Sequence, residues 1–167
     1  MTDRGVQLAV IGGASCNDRQ RRLALETGRR IAQAGAVLLC GGRGGIMAAA
    51  AEGARSAGGR TVGILPGADS TETPANPHIE LPLYTGMGQA RNQILVLSAD
   101  AVIGIGGGWG TLTEIGLALK HRIPVILLGS WQLTRPDGGD EPLLQQVESA
   151  RQAVDLALES IHAKGSA

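Results

Sequence analysis

The chain has 167 residues, of which 26 are glycine and only three are aromatic (Tyr84, Trp109 and Trp131), and its formal net charge is zero. With 43% hydrophobic residues and no G-X-Y period, it is neither a disordered chain nor a collagen. Zero net charge supplies no global pull toward nucleic acid or an anionic membrane, and so few aromatics leave little with which to stack bases.

Taken in chain order, short β-branched runs alternate with longer helical ones. Residues 6–11 (VQLAVI) read as a buried strand stopped by Gly12 and Gly13. A helix over about 18–34 places Leu23, Ala24, Thr27, Gly28 and Ile31 on one face, and Gly35 stops it. Residues 37–40 form a second strand. A glycine loop at 41–45 leads into an alanine-rich helix ending before Gly58 and Gly59. Strand three covers 61–65, and a polar loop runs to Pro77. Residues 79–84 form a weaker strand, in which Pro82 points to a sheet edge or a strand end. A helix follows over about 88–97, then a strand at 101–105, a glycine turn at 106–110 and a helix over 112–121. Residues 124–128 make the last strand, and a closing helix is expected over about 141–163.

Strands alternating with helices predict an α/β fold: one Rossmann-like domain over 1–167, with a doubly wound parallel sheet covered by helices on both faces. The helix from Leu112 is apolar on two sides; one would face the sheet and the other is core or a subunit contact, and a homo-oligomer is expected. No apolar run approaches the ~20 residues of a membrane span, and Met1–Gly5 does not open a signal peptide, so a cytoplasmic protein is expected. Cys16 and Cys40 lack CxxC spacing and read as small reduced thiols; no metal site and no cofactor are implied. The only lysines, Lys120 and Lys164, lie at a helix end and in the tail, which disfavours Schiff-base chemistry.

Fourteen of the glycines fall on loops leaving the C-terminal ends of strands, the rim where doubly wound sheets bind ligands. Glycine lets backbone N–H groups approach a ligand, and a following helix N-terminus favours phosphate. Each such loop alone also fits an ordinary tight turn; several on one rim predict a phosphorylated small molecule as partner. The expected ligand-binding residues are Gly12, Gly13, Ser15, Gly41, Gly42, Gly44, Gly45, Met47, Gly107, Gly108, Trp109, Gly110 and Thr111. Neither G-x-x-x-x-G-K-[ST] nor G-x-G-x-x-G occurs, which disfavours a P-loop NTPase or an NAD dehydrogenase.

Thr111-Leu-Thr-Glu114 has capping-box spacing, so Glu114 is either a helix cap or a carboxylate held beside the phosphate rim, where it could act in glycosidic cleavage. Arg91 opens a helix, a position unfavourable for a cation. It reads as an anion contact or a surface salt bridge.

CGGRGGIM (40–47), GRTVGILP (59–66), Arg91 and GGWGTLTE (107–114) together resemble the LOG ("lonely guy") family, once mislabelled lysine decarboxylases, over roughly residues 6–130. The resemblance implies a Rossmann-like oligomer that hydrolyses the N-glycosidic bond of nucleoside 5′-monophosphates, releasing base and ribose 5-phosphate. It would make Gly107, Gly108, Gly110 and Thr111 phosphate ligands, Glu114 the catalytic carboxylate and Arg91 its partner at the sugar. Two positions depart from the family pattern: Gly106 stands where it has proline, and Asn92 where it usually has lysine. In both, the chain is similar to a sister branch that includes the molybdenum cofactor carrier proteins. That branch is expected to bind a phosphate-bearing pterin without cleaving it.

Overall fold

The computed structural model describes residues 4–165, and side chains up to 163; residues 1–3, used above in the leader reading, and the side chain of Lys164 lie outside the described part. The elements are β1 (Gln7–Gly12), α1 (Asp18–Gln33), β2 (Val37–Cys40), α2 (Ile46–Ser56), β3 (Thr61–Leu65), β4 (Leu81–Tyr84), a 3-10 turn (Gly88–Ala90), α3 (Arg91–Ser98), β5 (Ala101–Ile105), α4 (Trp109–Lys120), β6 (Val125–Leu128), β7 (Leu144–Val147) and α5 (Ala150–Gly165). The seven strands form one parallel sheet in the order β4-β3-β2-β1-β5-β6-β7. This is the doubly wound, Rossmann-like α/β arrangement that the sequence predicts.

Strand periodicity divides the core. Leu8 and Val10 of β1 pack with Ala24 and Ile31 of α1, Ile46 and Ala50 of α2, and Ala153 and Val154 of α5. Ala9 and Ile11, on the opposite face, pack with Leu95 and Val96 of α3 and Ile115 and Ala118 of α4. The central strands are buried on both faces, so they are continuously apolar rather than alternating. β4 is an edge strand, and Pro82 within it withholds no hydrogen bond from an interior ladder.

Helix α2 explains the run of alanines. Ile46, Met47, Ala49, Ala50, Ala51, Gly53 and Ala54 are all buried, because the helix packs both on the sheet and against α1 beside it. A Cβ on Gly28 would overlap the Ala50 carbonyl oxygen, and one on Gly53 would overlap that of Leu25, so the two backbones touch directly. No helix among the described residues is long and apolar enough to cross a membrane.

Three elements differ from expectation. The closing helix begins at Ala150, and residues Leu144–Val147 form β7 instead. Leu144 and Val147 have helical spacing with the apolar residues after them, but they pair with β6 and cover what would otherwise be an open edge. The helix start is marked by Ser149, whose hydroxyl accepts from the Gln152 N–H at 3.3 Å. The helix expected over 88–97 is a 3-10 turn followed by α3. Finally, α4 begins at Trp109 rather than Leu112.

Candidate functional site

Strand order reverses at β1, and the crevice above the C-terminal ends of β1, β2 and β5 follows from that topology. A cleft of about 230 Å³ lies there. Its floor is Val10 and Ile11. Gly12, Gly13 and Ala14 follow from β1, Gly41, Arg43 and Met47 from β2 and α2, Gln89, Arg91 and Asn92 from the start of α3, and Gly108, Gly110, Thr111 and Glu114 from α4.

The turn into α4 is made by Gly106 and Gly107, whose φ angles of +55° and +103° suit no other residue well. The reversal is completed within these two residues, so α4 starts early, with extended Gly108 as N-cap and no side-chain cap. This overturns the capping-box reading. Thr111 is the third helical residue and Glu114 the sixth, so neither can cap this end. The uncapped N–H groups of the first turn stand at the cleft, where the helix dipole favours an anion.

Glu114 is buried, at 7% exposure, one turn into the helix. Burial pushes its carboxyl up to about 7, against the opposing charge of Arg91. Its neutral form is therefore far more favoured than that of an exposed carboxylate. Arg91 is also buried, at 8% exposure, so it is not a surface salt bridge. Its Nε and Nη1 have no hydrogen-bond partner among the described residues, and neither does the Oδ1 of Asn92. Burial holds the guanidinium below its usual value, while Glu114 favours the charged form. Buried charges are normally fully paired, and here two donors of a buried guanidinium facing the cleft are left without a partner among the described residues. The bare backbone of Gly41 makes room for it: a Cβ there would press on Arg91 Nη1 and lie 2.7 Å from Nη2 and from Met47 Sδ.

Of the expected ligand-binding residues, Gly12, Gly13, Gly41, Met47, Gly108, Gly110 and Thr111 line this cleft, together with Glu114 and Arg91. The remaining six stand behind or beside it. Gly45 abuts the β1 loop, where the Ile46 N–H donates to the Gly13 carbonyl at 3.0 Å; Gly44 borders Ala14, and Ser15 is exposed on the same loop. Gly42 packs on Leu65. Gly107 crowds Thr111. Trp109 is 77% exposed and does not line the cleft, its ring centroid 5.4 Å from that of Trp131.

Two loops that the sequence left without a role brace the rim. Asn76, in the loop after β3, donates its N–H to the Gly42 carbonyl and its Nδ2 to the Arg43 carbonyl, each at 2.9 Å. After β6, the Ser130 hydroxyl donates to the Gly106 carbonyl and the Trp131 indole to that of Gly108 at 3.3 Å. Cys40 is buried, with its thiol pushed by burial up to about 11; it accepts from the Gly42 N–H at 3.4 Å and serves the loop as a neutral clamp. Cys16 is half-buried and packs against the core. Among the described residues no cluster of three or more His, Cys, Asp or Glu could hold a metal.

Arg43, Gln89 and Asn92 are cleft residues that sequence reasoning did not select. Arg43 carried a readable signal, a lone charge inside a glycine loop. Gln89 carried none, since a short 3-10 turn has no periodicity to read.

The molybdenum cofactor binding protein of the phototrophic bacterium Rippkaea orientalis superposes with a TM-score of 0.83 at 34% identity, covering 95% of this chain and 98% of that one. The molybdenum cofactor carrier protein of Chlamydomonas reinhardtii gives 0.81 at 33%, covering 95% and 99%. In sequence, the chain is 34% identical over 116 residues to a cytokinin riboside 5′-monophosphate phosphoribohydrolase of Mycobacterium tuberculosis. That match takes in 65% of this chain and 62% of the relative. The family model that matches runs over residues 5–158, nearly the whole length, and the chain belongs to the SLOG cluster4 family, a LOG-type family.

Proposed function

We propose that the cleft binds a phosphorylated small molecule and hydrolyses the N-glycosidic bond of nucleoside 5′-monophosphates, giving free base and ribose 5-phosphate. The observation that carries this reading is the buried pair of Glu114, poised near neutrality, and Arg91, with idle donors, beside the open start of α4. The phosphate sits on the N–H groups of Gly108, Gly110 and Thr111, where the dipole favours it. Arg91 holds the sugar end, and Glu114 faces the anomeric carbon. As a carboxylate, Glu114 stabilises the oxocarbenium-like centre and takes a proton from water; hydroxide adds to C1′ as the C1′–N bond breaks, and the proton passes to the leaving nitrogen. A group titrating near 7 serves both halves of that exchange.

A second reading is a carrier that holds a phosphate-bearing pterin cofactor in the same cleft without cleaving it. It is favoured by the extent of the likeness: at 34% identity, 98% of the Rippkaea orientalis protein is covered.

The test is incubation with AMP and other nucleoside monophosphates, following free base by chromatography. Release that is lost in Glu114→Gln is the expected result, with a rate loss of about 10²- to 10⁴-fold. No release from any nucleotide overturns hydrolysis, and retained ligand binding then favours the carrier. Unchanged release in Glu114→Gln removes Glu114 from the chemistry.

A further inference from the structure

Two arginines share the cleft, and neither meets a carboxylate in an ion pair among the described residues. Several arginines elsewhere find acids, as Arg21 does with Glu52, Arg30 with Glu26 and Arg55 with Glu80. Burial pushes the one acid of the cleft, Glu114, toward its neutral form. A protein with no net charge thus concentrates positive charge in one small space. The two guanidiniums also feel each other: burial does most to hold Arg91 low, and the charge of Arg43 adds to it.

Arg43 is exposed, yet its backbone is fastened by Asn76 through the carbonyls of the two peptide links that flank it. The fold therefore fixes where the side chain starts and leaves its charge without a partner. Position supplies the rest. β2 and β5 flank β1, so their loops lie two strand spacings apart, roughly 10 Å. The start of α4 is on the β5 side, and Arg43 is on the β2 side.

We propose that Arg43 is the specificity-determining residue of the cleft, holding a second anionic group of a ligand whose phosphate sits at the start of α4. The substrate class is then a phosphorylated sugar or nucleoside carrying another anion across the sugar from that phosphate. The cleft volume of about 230 Å³ suits a group of that size. This rests on the reading above that the start of α4 takes a phosphate.

The experiment is calorimetric titration with AMP and with adenosine 3′,5′-bisphosphate, using Glu114→Gln as the background in every protein compared so that turnover does not intervene. With Arg43 intact, the bisphosphate binds about ten-fold tighter than AMP or better. Arg43→Gln weakens the bisphosphate by about ten-fold and AMP by less than about three-fold, which closes the gap, and Arg43→Lys keeps part of it. Equal affinities with Arg43 intact, or equal losses for both ligands in Arg43→Gln, overturn the proposal alone. Failure of the Arg43-intact protein to bind AMP at all overturns the underlying phosphate reading, and this proposal with it.

Discussion

Where α1 meets α2, the atoms facing Gly28 and Gly53 are backbone carbonyls of the opposite helix; around the cleft, the atoms facing Gly41 are the ends of the Arg91 and Met47 side chains. Both regions use glycine to remove a Cβ, but what fills the released space differs. In the first, two rigid helices fill it, and the gain is close packing on which the sheet depends. In the second, a flexible cation fills it, and the gain is a charged group held within reach of a ligand. The contrast separates glycines that build the fold from glycines that shape the site, although both look alike in a sequence.

The sharpest break of that comparison is Gly28→Ala. In an unobstructed helix this change stabilises by up to ~1 kcal/mol, because alanine loses less chain entropy. At Gly28 the new methyl would overlap the Ala50 carbonyl oxygen and come within 3.0 Å of the Ala54 nitrogen, and neither can move without its helix. The expected outcome is a loss of about 3 kcal/mol or more in denaturant unfolding. Gly116→Ala in α4, where a Cβ would meet nothing within 4 Å, is the matched control and should be neutral or stabilising. Equal effects at the two positions would mean that α1 and α2 have room to separate.

Glu114 tests the site side through pH. Its carboxyl is raised from the usual 4.5 to about 7 by burial, so between those values the native state holds a proton that the unfolded chain has released. The stabilisation is fully present below about pH 4.5 and is lost as pH rises through 7. At ~1.4 kcal/mol for each pH unit, the amount lost is on the order of 3 kcal/mol. Glu114→Gln, which stays neutral, should match the wild type at pH 4 and exceed it by on the order of 3 kcal/mol at pH 8, measured by urea midpoints. A gap that does not change with pH would show that the carboxylate is well solvated.

The sheet, its winding and the rim were legible because buried parallel strands are continuous apolar runs and glycine punctuates them. Arg91 and Glu114 were legible as candidates from their positions at helix starts. Their burial was not, because it comes from the Gly41 backbone and from loops distant in sequence. The capping-box error has the same source. Thr111 and Glu114 have the spacing, but Gly106 and Gly107 complete the turn quickly enough for α4 to begin ahead of them. The residues 144–147 read as helix because Leu144 and Val147 continue the apolar stripe of α5, and only the open edge of β6 decides between the two assignments. Asn76 and Trp131 act through backbone carbonyls of the rim, contacts that leave no pattern in the side chains they serve.

The smallest expected effect discriminates best between the two kinds of glycine. Gly41 has an ordinary negative φ, so alanine there adds no backbone strain, and the atoms it would strike are the far ends of Arg91 and Met47. Those ends can swing aside. Gly41→Ala should therefore leave the unfolding free energy within about 1 kcal/mol of wild type. Displacing the guanidinium should nevertheless cost about ten-fold in affinity for AMP, the usual worth of a charge-assisted contact. The double variant with Arg91→Gln provides the check: if Gly41 acts by positioning Arg91, adding Gly41→Ala to Arg91→Gln costs nothing further. Additive losses would mean that Gly41 touches the ligand through its own backbone, and unchanged affinity in the single variant would mean that Arg91 binds no anion here.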